Sequence, residues 1–349
     1  MQRDTGFTSS RTLSKNWAAV LCATAIAGSL VPAFGANKPA TDKATYISID
    51  APHATDTWSY GINGAGDVVG TYRDKSGDYH GYVRQSAGTL TPFQVSGSVS
   101  TLAYGIDEDA SAAGEYSDSN GHYHGFLRHP DGSIKTFDVA GSVNTEPSEI
   151  EDGYVTGGYD NGDGVEHGFA REPDGTMVTF DPAGSIFTFP RDTGHGWVTG
   201  SFTDGSHAVH CFLLKVSSGK ITTFDPKGST ESECIVTSEK RLVAGYYKGG
   251  NGTYHGMLRS LDGTFTTFDV PGASDTYAYA VNGIGVSVGP WMDARGDYHG
   301  FVRGPDGKFG EFDAPGATVT LPVQINRDRV IAGTWIDSGG HEHGFLRIP

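Results

Sequence analysis

The sequence predicts an all-β fold, a seven-bladed β-propeller with four antiparallel strands per blade and an N-terminal strand that closes the last blade. Three observations predict it. A His-Gly-aromatic triplet recurs at His80, His124, His167, His299 and His343, with variants at His210 (His-Cys-Phe) and His255 (His-Gly-Met), spaced by 44, 43, 43, 45, 44 and 44 residues in chain order. A second marker keeps step at Asp50, Gln94, Asp138, Asp181, Asp225, Asp269 and Asp313. Each interval holds four short apolar runs divided by turn residues, and a 40–50-residue unit of that kind is a propeller blade.

The first unit shows the elements. Its runs cover 58–63, 68–73, 79–84 and 90–95, each of strand length and rich in aromatic or β-branched residues. Gly64-Ala65-Gly66, Asp74-Lys75-Ser76-Gly77 and Ala87-Gly88 punctuate them. The last unit stops after its third run (344–348), while 45–50 matches the fourth-run segment 266–269 of another unit. The opening strand therefore supplies the missing strand and removes an exposed edge. A β-solenoid is the competing architecture, but it has no use for such a permuted overlap. In the sixth unit Pro290 is expected to interrupt its strand by removing a ladder hydrogen bond.

The N-terminus reads differently. Arg11 and Lys15 precede an apolar, small-residue run over 17–34, and Ala33-Phe34-Gly35 suits cleavage before Ala36. Residues 1–35 read as a signal peptide, 36–44 as a short linker and 45–349 as the propeller, giving a secreted or periplasmic protein with no membrane insertion after cleavage. Without Arg3, Arg11, Lys15 and Asp4, the chain keeps 22 Lys+Arg against 40 Asp+Glu, a net charge of −18. That charge repels nucleic acid and anionic membranes and tolerates neutral or cationic ligands.

The repeat resembles the extracellular HAF-type repeat family, whose His-Ala-Phe core here reads His-Gly-Phe. The triplets carry the resemblance, with the Asp-Gly turns at Asp131, Asp174, Asp262 and Asp306 and segments such as 268–272. It covers 45–349 and implies an exported bacterial propeller, with no particular reaction.

The seven histidines, each opening the third strand of its blade, stand too far from one another to share a metal. They are expected to buttress their own blades, through turn acids such as Asp74, Asp118 and Asp293. His122-x-His124 and His341-x-His343 lack a third ligand, so no metal site is assigned. The turn 160–164 (Asp-Asn-Gly-Asp-Gly) is the one place for calcium, though it lacks a downstream bidentate Glu; otherwise no cofactor is expected. No His-Glu-x-x-His, Gly-x-Ser-x-Gly or phosphate loop occurs.

A ligand site needs blades that differ. The equivalents of Trp58 are Leu102, Glu146, Phe189, Glu233, Tyr277 and Leu321, and those of Tyr60 are Tyr104, Ser148, Arg191, Ile235, Tyr279 and Val323. These are expected nearest the axis, with Trp58, Glu146, Phe189, Arg191, Glu233 and Tyr277 binding a glycan or protein on the loop face. The alternative is a carbohydrate-active lyase or hydrolase using Glu146, Glu233, Arg191 and His195 at the mouth of the central pocket. A structural envelope protein is the third reading. Cys211 and Cys234, from neighbouring units, are a disulfide candidate in an oxidising compartment. A monomer is expected.

Overall fold

The computed structural model describes residues 43–238 and 240–349. The signal peptide and all of the linker except Lys43 and Ala44 lie outside them. Among the described residues the strands pair into seven four-stranded antiparallel units, the blades of a propeller. Blade one runs Ala54–Ile62, Val68–Asp74, Tyr79–Arg84 and Leu90–Phe93. Blades two to six repeat this order, and blade seven consists of Val319–Ile325, Ile331–Ile336, Glu342–Ile348 and the opening strand Thr45–Ile49. The opening strand pairs antiparallel with Glu342–Ile348 from Thr45↔Ile348 to Ile49↔Gly344. Among the described residues no helix is long and apolar enough to cross a membrane.

The repeated residues make each blade and fasten it to the next. The aromatic of each triplet (Tyr82, Phe126, Phe169, Phe212, Phe301, Phe345), or Met257 in blade five, is at most 1% exposed. Full burial of such a side chain stabilises by about 1.5–3 kcal/mol. The cores lie between blades: Ile49, Ala332 and Leu346 of blade seven pack with Ile62, Val68 and Tyr82 of blade one, so closure is a packed interface as well as a strand pair. The triplet glycine has a steric reason. A Cβ on Gly125 or Gly168 would meet the ring of Phe137 at 2.6 Å or of Phe180 at 2.7 Å. In blade four Cys211 takes the glycine's place, and it is joined to Cys234 of blade five with Cα atoms 5.4 Å apart.

The histidines sit in repeated clamps. His167 Nδ1 lies 2.7 Å from Asp181 and its Nε2 3.4 Å from Asp163, while Tyr159 packs on the ring at 5.1 Å. His210 (Asp225 2.7 Å, Asp204 3.4 Å) and His299 (Asp313 2.9 Å, Asp293 3.9 Å) repeat it. The turn acids are therefore the second partners. The closer one is the fourth-strand Asp marker, which the linear sequence leaves unlinked to the histidine. In blade seven that marker is Asp50, beside the opening strand, 2.6 Å from His343. In blade one Gln94 replaces it, 3.1 Å from His80.

Pro290 does not interrupt its own strand, which runs unbroken over Ser287–Met292. The break falls on its partner. Pro290 has no N–H to donate, and the first strand of blade six splits into Asp275–Thr276 and Ala280–Val281 around Tyr277 and Tyr279. Tyr277 N still donates to Pro290 O at 3.0 Å.

Candidate functional site

The first strand of every blade faces the axis and carries the variable residues. Each one has a register shift at one shared position: the shifts skip Tyr60, Tyr104, Ser148, Arg191, Ile235 and Val323, and the split strand of blade six carries Tyr279 there. A bulge re-aims its residue and bends the strand. The bulged side chains reach across blades: the Tyr60 and Tyr104 ring centroids are 5.6 Å apart.

The equivalents of Trp58, two residues earlier, behave otherwise. They lie in the clefts between neighbouring blades, because a strand residue off the bulge projects over a sheet face. Trp58 stacks on Tyr79 of its own blade at 5.9 Å and donates its indole N–H to Glu342 of blade seven. Phe189 stacks on Phe187 at 3.7 Å. Glu146 sits with Asp160 and Glu166 of its blade and Glu115 of blade two; burial, then the Asp160 charge, pushes it up to about 7. Burial and the Glu146 charge hold Glu166 up to about 9. Tyr104 Oη donates to Glu115 at 3.1 Å.

Two of the expected residues meet. Arg191 Nη2 of blade four lies 3.8 Å from Glu233 Oε2 of blade five. Burial raises Glu233, and the guanidinium opposes that rise. A tyrosine cluster lies alongside: Tyr246, whose neighbours include Glu233 and Arg191, has ring-centroid distances of 5.0 Å to Tyr277, 6.1 Å to Tyr279 and 5.8 Å to Tyr254. Tyr277 also meets Tyr298 at 6.4 Å. Blades four to six thus bring Arg191, Glu233 and Tyr277 into one sector. Trp58 and Glu146 belong to other clefts, Phe189 packs on Phe187 of its own strand, and the four-residue catalytic set is not assembled around one point.

His195 is at the opposite end of the strand. Its Nδ1 pairs with Asp152, and it lines an axial cavity of about 110 Å³ where the first strands turn back into the second. All seven blades wall this cavity, and Glu149, Glu151 and Asp192 line it. Glu149 and Glu151 were not expected. The signal for them is positional: Glu149 and Asp192 stand where blades one and two carry Gly61 and Gly105, and Glu151 where blades one, six and seven carry Asn63, Asn282 and Asn326.

The oxygens of the turn 160–164 already have partners: Asp160 accepts from Gly162 N at 3.0 Å and from Asn144, Asn161 from Asp163 N at 3.1 Å, and Asp163 from Val165 N at 2.8 Å. No group of three or more His, Cys, Asp or Glu among the described residues is placed to hold a metal ion.

No family model matches the chain, and no curated protein matches it. Solved structures do. The chain is similar to a catalytically inactive virginiamycin B lyase from Staphylococcus aureus with quinupristin, at 15% identity over 88% of this chain and 100% of that one, TM-score 0.60. It is similar to a Mycobacterium tuberculosis puromycin-hydrolyzing peptidase at 14% identity over 86% of this chain, TM-score 0.57, and to TolB from Acinetobacter baumannii at 15% over 70%, TM-score 0.50. It spans 55% of the peptidase and 63% of TolB. Identities of this size show the propeller fold alone.

Proposed function

We propose that the protein is an exported, HAF-type propeller that binds a polar, ring-bearing ligand, a glycan in the first instance, in the sector of blades four to six. One observation carries this reading: the Arg191–Glu233 pair meets a cluster of Tyr246, Tyr254, Tyr277, Tyr279 and Tyr298. Charged hydrogen-bonding groups beside aromatic faces suit a sugar, whose hydroxyls need partners and whose C–H faces stack on rings. The net charge of −16 for the whole chain favours a neutral or cationic ligand over an anionic one.

The likeness to a lyase and a peptidase is of fold only, and Glu146 and Glu233, the two carboxyls of the expected catalytic set, stand in separate clefts. Binding without turnover is therefore the expected behaviour. A glycan array on the secreted protein, followed by calorimetry, tests it. Tyr277→Ala and Glu233→Gln should each weaken the selected ligand about tenfold or more, the scale of losing a central aromatic or charged contact. No binding across neutral and cationic glycans would leave the structural envelope role, and release of new reducing ends or unsaturated products would establish an enzyme.

A further inference from the structure

The axial cavity lies at the other end of the first strands from the proposed ligand sector, and two kinds of clasp hold its wall. On the arc of blades six, seven and one the clasps are amides. Asn282 Nδ2 donates to Asn326 O at 3.0 Å, Asn326 Nδ2 to Asn63 O at 3.1 Å, and Asn63 Nδ2 to Asp107 O at 3.1 Å, so amides tie three successive blade joints, with Glu108 adding a bond from Gly64 N at 3.0 Å at the last of them. On the arc of blades two to five the clasps are carboxyls. Asp107 accepts from Gly153 N of blade three at 3.2 Å, and Asp192 accepts from Thr237 N of blade five at 2.6 Å. Glu149 and Glu151 of blade three stand between them, and Glu149 lies so close over Gly105 of blade two that a Cβ there would collide with it.

An amide is the same at every pH, whereas a carboxyl can charge. We propose that Asp107, Glu149, Glu151 and Asp192 form a pH-operated clasp, closed while these carboxyls hold protons and loosened between blades two and five when they ionise together. A protonated carboxyl still accepts from Gly153 N or Thr237 N through its carbonyl oxygen, so the tie survives protonation. Ionisation puts like charges into one small cavity, where each disfavours the others.

Among the described residues the lining supplies no free countercharge. Asp109 faces Asp107 from its own turn, and Asp192 faces Glu149 and Glu151 from blade four. Asp152 and Glu108 add further negative charge beside Glu151. The bases in the lining are His195 and Arg327, and each has its own acid: His195 pairs with Asp152, and Arg327 lies 3.8 Å from Glu108. Among the described residues, blades one, five and six present only Gly, Ile, Val, Thr, Ser and Asn to the cavity. In keeping with this crowding, burial holds Asp107 and Asp192 up to about 7, and burial with the Asp192 charge holds Glu151 up to about 8.

Hydrogen exchange of the intact protein, corrected for intrinsic rates, tests the clasp at about pH 5 and about pH 8.5, on either side of the neutral range. Exchange should be about fivefold or more faster at the higher pH in 105–111, 149–155 and 192–198, and unchanged in 61–68 and 325–331. Glu149→Gln and Asp192→Asn mimic the protonated groups and should each remove most of that acceleration while leaving the lower-pH pattern alone. If one variant does not fold, the other and the wild-type contrast between the two arcs still decide. Uniform exchange around the ring, or variants with the wild-type profile, would overturn the proposal. So would calcium or putrescine restoring low-pH protection at about pH 8.5, which would make the arc a cation site instead.

Discussion

The outer and inner strands of each blade answer to different demands. The third and fourth strands are nearly the same around the ring, because their His–Asp clamps, triplet glycines and buried aromatics each solve a problem internal to one blade or one joint. The first strands diverge, because only there does one blade meet residues of several others. At one equivalent position, blade three places Glu146 among carboxyls and blade five places Glu233 beside Arg191. Repetition therefore marks the scaffold in this protein, and departures from repetition mark the places where chemistry can sit.

Substitutions should separate the two layers, and the largest effects belong to the scaffold. Phe169→Ala empties a fully buried site between blades and should cost about 3–5 kcal/mol, read as a fall in the urea midpoint. Removing the link between Cys211 and Cys234, 23 residues apart, should cost about 2–4 kcal/mol, measured as the stability lost on reduction. A reduced protein as stable as the oxidised one would show that blades four and five are held by packing alone.

The pH dependence of stability is the next sharpening. In His167 and His210 burial lowers the imidazole, but the flanking Asp pairs more than offset it; in His299 the Asp313 bond raises it outright. A raised histidine contributes stability below its unfolded value of about 6.5 that is lost as pH rises through the folded value. The raised axial carboxyls act in the same direction, since the folded state holds their protons more tightly than the unfolded chain. At the acid end, the His122 backbone N–H bond holds Asp118, and the Ser206 hydroxyl holds Asp204, down to about 2. Their contribution is present above the ordinary carboxyl range and fades as pH falls toward 2. The melting temperature should therefore peak between about pH 4 and 6.5 and decline on both sides. A maximum above neutrality would mean that the clamps hold neutral imidazoles.

The scaffold was legible in the sequence because its rules are periodic. The triplets, the Asp marker and the permuted ends depend only on spacing, and each finds a place in the blades. The inner layer was legible only in part. Arg191 and Glu233 stand out as departures from the repeat, yet which departures meet depends on a bulge that no residue type announces. That bulge turns Arg191 toward its neighbours while Trp58 and Glu146, two residues earlier in register, stay in their clefts. Glu149 and Glu151 escaped for a related reason: they replace small or amide residues at positions whose axial exposure follows from strand register. The Asp marker was visible, but its bond to the histidine, 14 residues away for His167, needs the third and fourth strands side by side.

The smallest expected effect on stability is also the sharpest test of the division between layers. His167→Ala and Glu233→Gln should be compared in one urea titration and on one glycan array. His167→Ala should lose about 1–2 kcal/mol, having removed the imidazole that bridges Asp181 and Asp163, and keep the wild-type array profile. Glu233→Gln should stay within about 1 kcal/mol of wild type and lose the array signal. The reverse pattern, with binding lost at the outer histidine and the fold lost at the inner glutamate, would contradict that division.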